Sequence, residues 1–195
     1  MHKFSLSNTS KALPDSYIEN GSAFPVNADF RIILRIFRLL HDPQVLDEDK
    51  HAIFLKLFFP GEIPPSPYAA FKWFANCGEE TEGTGEKDFD FEQDAMEIFA
   101  SFMQVYGIDL LECPGMHWWK FSALLSGAFV QNTALNNKIS LRHIDDSEAK
   151  RKSDLHNAKQ RAAICEKMSV SDRMLENEMK KRLMNGDSIA DLLGR

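Results

Sequence analysis

The chain has 195 residues, 44% of them hydrophobic and 11% aromatic, enough for one packed core and an appendage. A formal net charge of −6 lacks the basic balance that a general nucleic-acid binder needs. Three cysteines without framework spacing, an N-terminus without a signal-type apolar run, and no stretch near the ~20 apolar residues of a membrane span read as a soluble, intracellular protein with free thiols.

In chain order, residues 1–12 are polar and patternless, a flexible lead. Ser16 to Val26 holds Asn20-Gly21 between short β-favouring runs, the pattern of a type I′ hairpin, with Pro25 confining the second strand to an edge. Asn27 or Asp29 then caps a helix running to Leu40. Ile33, Ile36, Phe37 and Leu40 share its apolar face, and Arg31, Arg35 and Arg38 lie on the opposite one. A second helix spans Asp47 to Phe58 and stops at Pro60-Gly61. After the stiff Pro64, Pro65 and Pro67 connector, a short helix covers Tyr68 to Asn76. Cys77 to Lys87 reads as an acidic loop.

From Asp88 the apolar spacing of Phe89, Phe91, Ala95, Ile98, Phe102 and Tyr106 predicts a long helix ending at Gly107. Met116 to Gly127 contains Trp118 and Trp119 and is apolar over most of a helical circumference. Trp118, Phe121, Leu125 and Phe129 fall near one stripe, widened by Trp119, Ala123 and Ala128, so this is the expected core helix. Asn132 to Arg142 follows as another helix, with Leu135, Ile139 and Ile144 as its apolar contacts.

At Asp145 the character changes. Acids outnumber bases 19 to 12 before it, but count 10 to 11 from it onward, and no aromatic follows Phe129. Residues 145–195 read as a charged helical arm. Asp145 to Met168 carries a thin stripe of Leu155, Ala158, Ala162 and Cys165, and two more helices are expected at 172–183 and 188–193. The fold class is therefore mainly α: a compact helical domain over 13–144 with one small N-terminal hairpin, then the arm.

Catalytic chemistry finds little support. Cys113 and His117 have no second ligand pair, so no metal or cofactor is expected. There is no nucleophile motif and no phosphate-binding glycine loop. Asp88, Asp90, Glu92 and Asp94 lack the glycine and terminal glutamate of a calcium loop, and acids opening a helix favour its dipole. Fifteen phenylalanines either fill the core or line a groove for a partner helix. The residues taken as candidates for partner binding are Trp118, Trp119, Phe121 and the stripe Arg31, Arg35, Arg38.

Three segments together resemble the bacteriophage gene-product-fifteen family, small proteins encoded among the tail genes of long-tailed phages. They are Asn27 to Leu40 with its preceding hairpin; Asp90-Phe91-Glu92-Gln93-Asp94-Ala95 with Tyr106-Gly107-Ile108-Asp109-Leu110; and His117-Trp118-Trp119-Lys120-Phe121-Ser122-Ala123-Leu124-Leu125-Ser126-Gly127. The last is the most specific. The similarity covers about residues 13–144 and is lost after Asp145. It implies a non-enzymatic tail assembly chaperone or accessory in the host cytoplasm. The partner it implies is the tape measure protein, the tail tube protein or both, besides self-association, with no membrane and no nucleic acid. The alternatives are a tail-completion or connector component retained in the virion, and an enzyme or regulator of unrecognised class.

Overall fold

The computed structural model describes residues 13–79, 87–129, 132–145 and 153–165. The lead at 1–12, the middle of the acidic loop and the helices expected at 172–183 and 188–193 lie outside the described residues. The fold is mainly α, with seven helices and one two-stranded antiparallel sheet among the described residues.

The hairpin pairs β1 (Ser16–Glu19) with β2 (Ser22–Pro25), Tyr17 opposite Phe24. Asn20 and Gly21 take φ of 51° and 79°, the left-handed pair a type I′ turn requires. Pro25 ends β2, where a missing N–H costs no internal ladder bond. Next is α1 (Phe30–His41), whose first turn is capped by Asp29 accepting from the Arg31 N–H at 2.9 Å. Phe30, Ile33 and Ile36 are buried, and Arg31, Arg35 and Arg38 are exposed. Helix α2 (Asp47–Phe58) opens on three acids, which its dipole favours, and α3 (Pro67–Ala75) opens on a proline at its first turn.

The long helix expected from Asp88 is shorter at its start: α4 runs Ala95–Tyr106, closed by Gly107 at φ 63°. The reason lies in Asp90. Its carboxylate accepts from the backbone N–H groups of Glu92 and Gln93, both at 2.9 Å, a side-chain turn that competes with helix. Phe89 and Phe91, expected on the helix stripe, leave it to pack on Phe129, Phe37 and Trp118.

The core helix is α5 (Trp118–Ala128), begun by His117 rather than at Met116. Trp118, Trp119, Phe121, Leu125 and Ala128 are buried, whereas Ala123, expected to widen the apolar face, is exposed. The Phe121 ring stacks between Phe30 of α1 and Phe102 of α4, with centroids 4.8 and 5.1 Å away. Such pairs add roughly 0.5–1.5 kcal/mol beyond area burial. Helix α6 (Ala134–Arg142), capped by Thr133, packs against α4, and α7 (Ser153–Ala162) packs against α6. The described portion of the arm is thus attached to the body, with Ala162 buried.

Candidate partner-binding site

The start of α5 is where most of the chain converges. Asp29 and His117 form an isolated antiparallel bridge. The Phe30 N–H donates to the Met116 carbonyl at 2.9 Å, and the Trp118 N–H donates to the Ala28 carbonyl at 2.7 Å. The first turns of α1 and α5 therefore start side by side. The Asn27 N–H donates to Phe58 O at 2.8 Å, fixing the end of α2 to the same point.

His117 caps α5 with both ring nitrogens engaged. Nδ1 accepts from the Trp119 N–H at 3.0 Å, so Nε2 carries the hydrogen and donates to the Pro14 carbonyl at 3.0 Å. This is the neutral imidazole. Burial pushes its pKa below the ordinary histidine value, against the opposing pull of the Pro14 carbonyl and Asp15.

The two tryptophans close a different helix. Trp118 Nε1 donates to Ala75 O at 2.9 Å and Trp119 Nε1 to Phe74 O at 2.8 Å. These are the last two residues of α3; the Phe74 carbonyl also accepts from the Cys77 N–H at 3.1 Å, just past the helix end, so its indole is a second donor. Consecutive indoles thus serve consecutive carbonyls. The third indole, Trp73, packs against Tyr17 and Trp119, and its Nε1 is buried with no hydrogen-bond partner.

The six candidate residues divide into two groups. Trp118, Trp119 and Phe121 meet in the core, at 4%, 4% and 0% exposure. Arg31, Arg35 and Arg38 lie on the outward face of α1 at helical spacing. Arg31 grips Asp29 through Nε at 3.0 Å and Nη2 at 2.6 Å, holding that carboxyl below the usual carboxylate range. Arg38 lies 3.7 Å from Glu92, both well exposed. The indoles and the arginines do not form one surface.

An arrangement the sequence reading missed centres on Asp94. Its side chain is wholly buried. The carboxylate accepts from Arg142 Nη1 and Nη2 at 2.8 and 2.7 Å, Lys138 Nζ at 2.8 Å, and the Asp90 N–H at 2.9 Å. Lys138 also reaches Glu97 at 3.0 Å, so two acids and two bases balance. Burial alone would raise the Asp94 pKa, but the bonds from Arg142 and Lys138 hold it below the ordinary value. Arg142 further donates to the Asp88 and Ala162 carbonyls, joining α6, the turn before α4 and the end of α7. The four-residue spacing of Lys138 and Arg142 was the available signal.

Beside this network lies an open cleft of about 320 Å³ with Arg38, His41, Asp42, Asp90, Glu92 and Cys165 in its wall. Its charges are mixed in sign, so it presents no single-sign field to a ligand. Among the described residues no three metal-ligating side chains cluster, and no helix is long and apolar enough to cross a membrane. Cys77, Cys113 and Cys165 are free.

A family model described as Bacteriophage Gp15 protein matches residues 10–164, twenty residues beyond the similarity seen in the sequence motifs and through the end of α7. No curated protein and no solved structure matches the chain.

Proposed function

The chain belongs to the bacteriophage Gp15 family, and from that premise we propose that it is a non-enzymatic tail assembly protein. In this reading it binds the tape measure protein in the host cytoplasm and leaves as tail-tube subunits add. A tape measure is long, helical and rich in apolar stripes, and needs a soluble partner before the tube encloses it. The observation that carries a binding role is the outward face of α1. Arg31, Arg35 and Arg38 form a line on a helix whose inward face is committed to the core. The buried indoles take no direct part in recognition under this reading. They seat α5 and α3, and thereby α1. The polar groups that would suggest catalysis have structural partners: His117 is a cap, and Asp94 is neutralised by Arg142 and Lys138.

Coexpression with overlapping segments of the cognate tape measure tests this. The wild-type chain should raise the soluble yield of at least one segment and copurify with it. An Arg35→Glu/Arg38→Glu variant should lose the copurification while keeping its melting temperature. A tape measure that is no more soluble, with nothing copurifying, overturns the proposal. Finding the chain in purified particles by mass spectrometry would instead favour the tail-completion or connector role.

A further inference from the structure

The outward face of α1 already holds carboxylates of its own chain, and they indicate what chemistry it accepts. At one end Arg31 is fully engaged: Asp29 receives its Nε and Nη2 at 3.0 and 2.6 Å. At the other end Arg38 Nε lies 3.7 Å from Glu92 Oε2, beyond the roughly 2.7–3.2 Å of a hydrogen bond. Both of those side chains are well exposed, where such a contact is worth little. Arg35, one turn before Arg38 on the same line, is exposed and makes no ion pair or hydrogen bond among the described residues. Asp42, one turn past Arg38, accepts from the Gln44 N–H at 2.8 Å. One cation is therefore open and the next is loosely held. There is room beside it, because Arg38 also stands in the wall of the cleft of about 320 Å³.

Two cations one turn apart call for two acids at matching height. Arg35 and Arg38 are three residues apart, a rise of about 4.5 Å along the helix. A second helix lying alongside offers side chains at about 4.5 or 6 Å, three or four residues apart. A strand offers same-face side chains at about 6.6 Å, a poorer match. A nucleic-acid strand is disfavoured for another reason. Its unbroken row of phosphates would have to pass Asp29 and Glu92, in a chain of net charge −6.

We propose that this face takes an acidic helix of a partner protein, with one carboxylate on Arg35 and a second, one turn away, replacing Glu92 on Arg38. The proposal rests on the binding role given to α1 above and names the chemistry of what binds. Glu92 is then a weak internal competitor. It occupies Arg38 in the free protein and yields to a carboxylate whose neighbour is already seated on Arg35. Two acids on one helix gain over two separate ones, because the second binds at the effective concentration that the first creates.

An NMR titration of the nitrogen-15-labelled full chain tests this, read at the arginine Nε–H signals. The probe is a synthetic, alanine-rich helical peptide of about 20 residues with two glutamates four apart, added at low ionic strength. One matched peptide carries glutamines at those positions, another has its glutamates on opposite faces, and a thymidylate strand of similar length supplies phosphate. The glutamate peptide should move the Arg35 and Arg38 signals and leave Arg31 in place. Its Kd should lie at least ~5-fold below that of either matched peptide and below that of the thymidylate strand. Glu92→Gln should lower the Kd by ~2–5-fold, the effect of removing one exposed ion pair, and Arg35→Gln should raise it by as much or more. Both positions are exposed, so the amide spectra of the variants should otherwise match the wild type. Equal response to a matched peptide, tighter binding of thymidylate, shifts confined to other residues, no response, or indifference to Glu92→Gln would each overturn the proposal. A coexpression in which no tape measure segment copurifies, beside a positive titration, sinks only the tape measure reading; a segment that copurifies beside a negative titration sinks only the acidic-helix proposal.

Discussion

Arg142 holds Asp94 through two parallel bonds of 2.7 and 2.8 Å, in a place where the carboxylate has no contact with solvent. A charge so placed is tolerated because its lone pairs are filled. One guanidinium, one ammonium and one backbone N–H do so, and removing one partner strands the rest.

Arg142→Ala should therefore destabilise the fold by ~3–5 kcal/mol, read from urea unfolding. The Asp94→Asn/Arg142→Ala double variant should cost less than the two single losses added together, because Arg142→Ala alone leaves the carboxylate under-neutralised. A purely additive cycle would mean the pair is not coupled.

Asp94 also sets an acid limit. Its folded pKa lies below the unfolded value of about 3.9, so its contribution is complete above that value and is lost as pH falls toward the depressed one. Melting temperature should fall below pH ~4 in the wild type, and less steeply in Asp94→Asn. Parallel slopes would exclude Asp94 as the source.

His117 acts in the same direction at higher pH. Its folded pKa is depressed, so the unfolded chain takes up a proton first as pH falls. Stability should be complete above the unfolded value of about 6.5 and decline on acidification through it. His117→Asn keeps a cap acceptor and should flatten this decline while remaining folded. A wild-type melting temperature constant between pH 7.5 and 5.5 would exclude the effect.

Gly127 has the Tyr106 hydroxyl where a β-carbon would stand, and that hydroxyl donates to the Leu124 carbonyl at 2.8 Å. Alanine at an exposed helix position normally gains about 1 kcal/mol over glycine, whereas here the overlap should cost ~1–3 kcal/mol. Gly127→Ala should lower the melting temperature, and Tyr106→Phe in the same chain should recover part of the loss. Gly127→Ala that stabilises on its own would show that Tyr106 swings aside freely.

Trp118→Phe leaves the Ala75 carbonyl without its indole donor and should cost ~1–3 kcal/mol, and Trp119→Phe should cost less through this bond because the Phe74 carbonyl keeps the Cys77 N–H. Hydrogen exchange should rise at the end of α3 in both, ahead of the rest of the core. Unchanged exchange there would deny the capping role.

The fold was legible where local chemistry decides it. Asn20-Gly21 specified the hairpin, Pro60-Gly61 marked the end of α2, and the stripe through Trp118, Phe121 and Leu125 identified the central helix. What stayed hidden depends on distant partners. Asp94 looked like one more acid opening a helix, because its cations lie 44 and 48 residues downstream. Asp90 turned the chain by a side-chain bond that no periodicity reports. The two tryptophans had an inward and a groove-lining reading. Only the positions of the α3 carbonyls decide that they face inward.

That capping arrangement also sets a timetable for synthesis. The carbonyls at Phe74 and Ala75 are translated some forty residues before the indoles that cover them. At 5–20 residues per second the interval is ~2–9 s, during which α1, α2 and α3 are complete as sequence but lack the helix that closes them. The nascent chain carries Phe30, Phe54, Phe58 and Phe74 through that interval without their final cover, so slowing translation ahead of residue 118 should lower the folded yield more than slowing it afterwards.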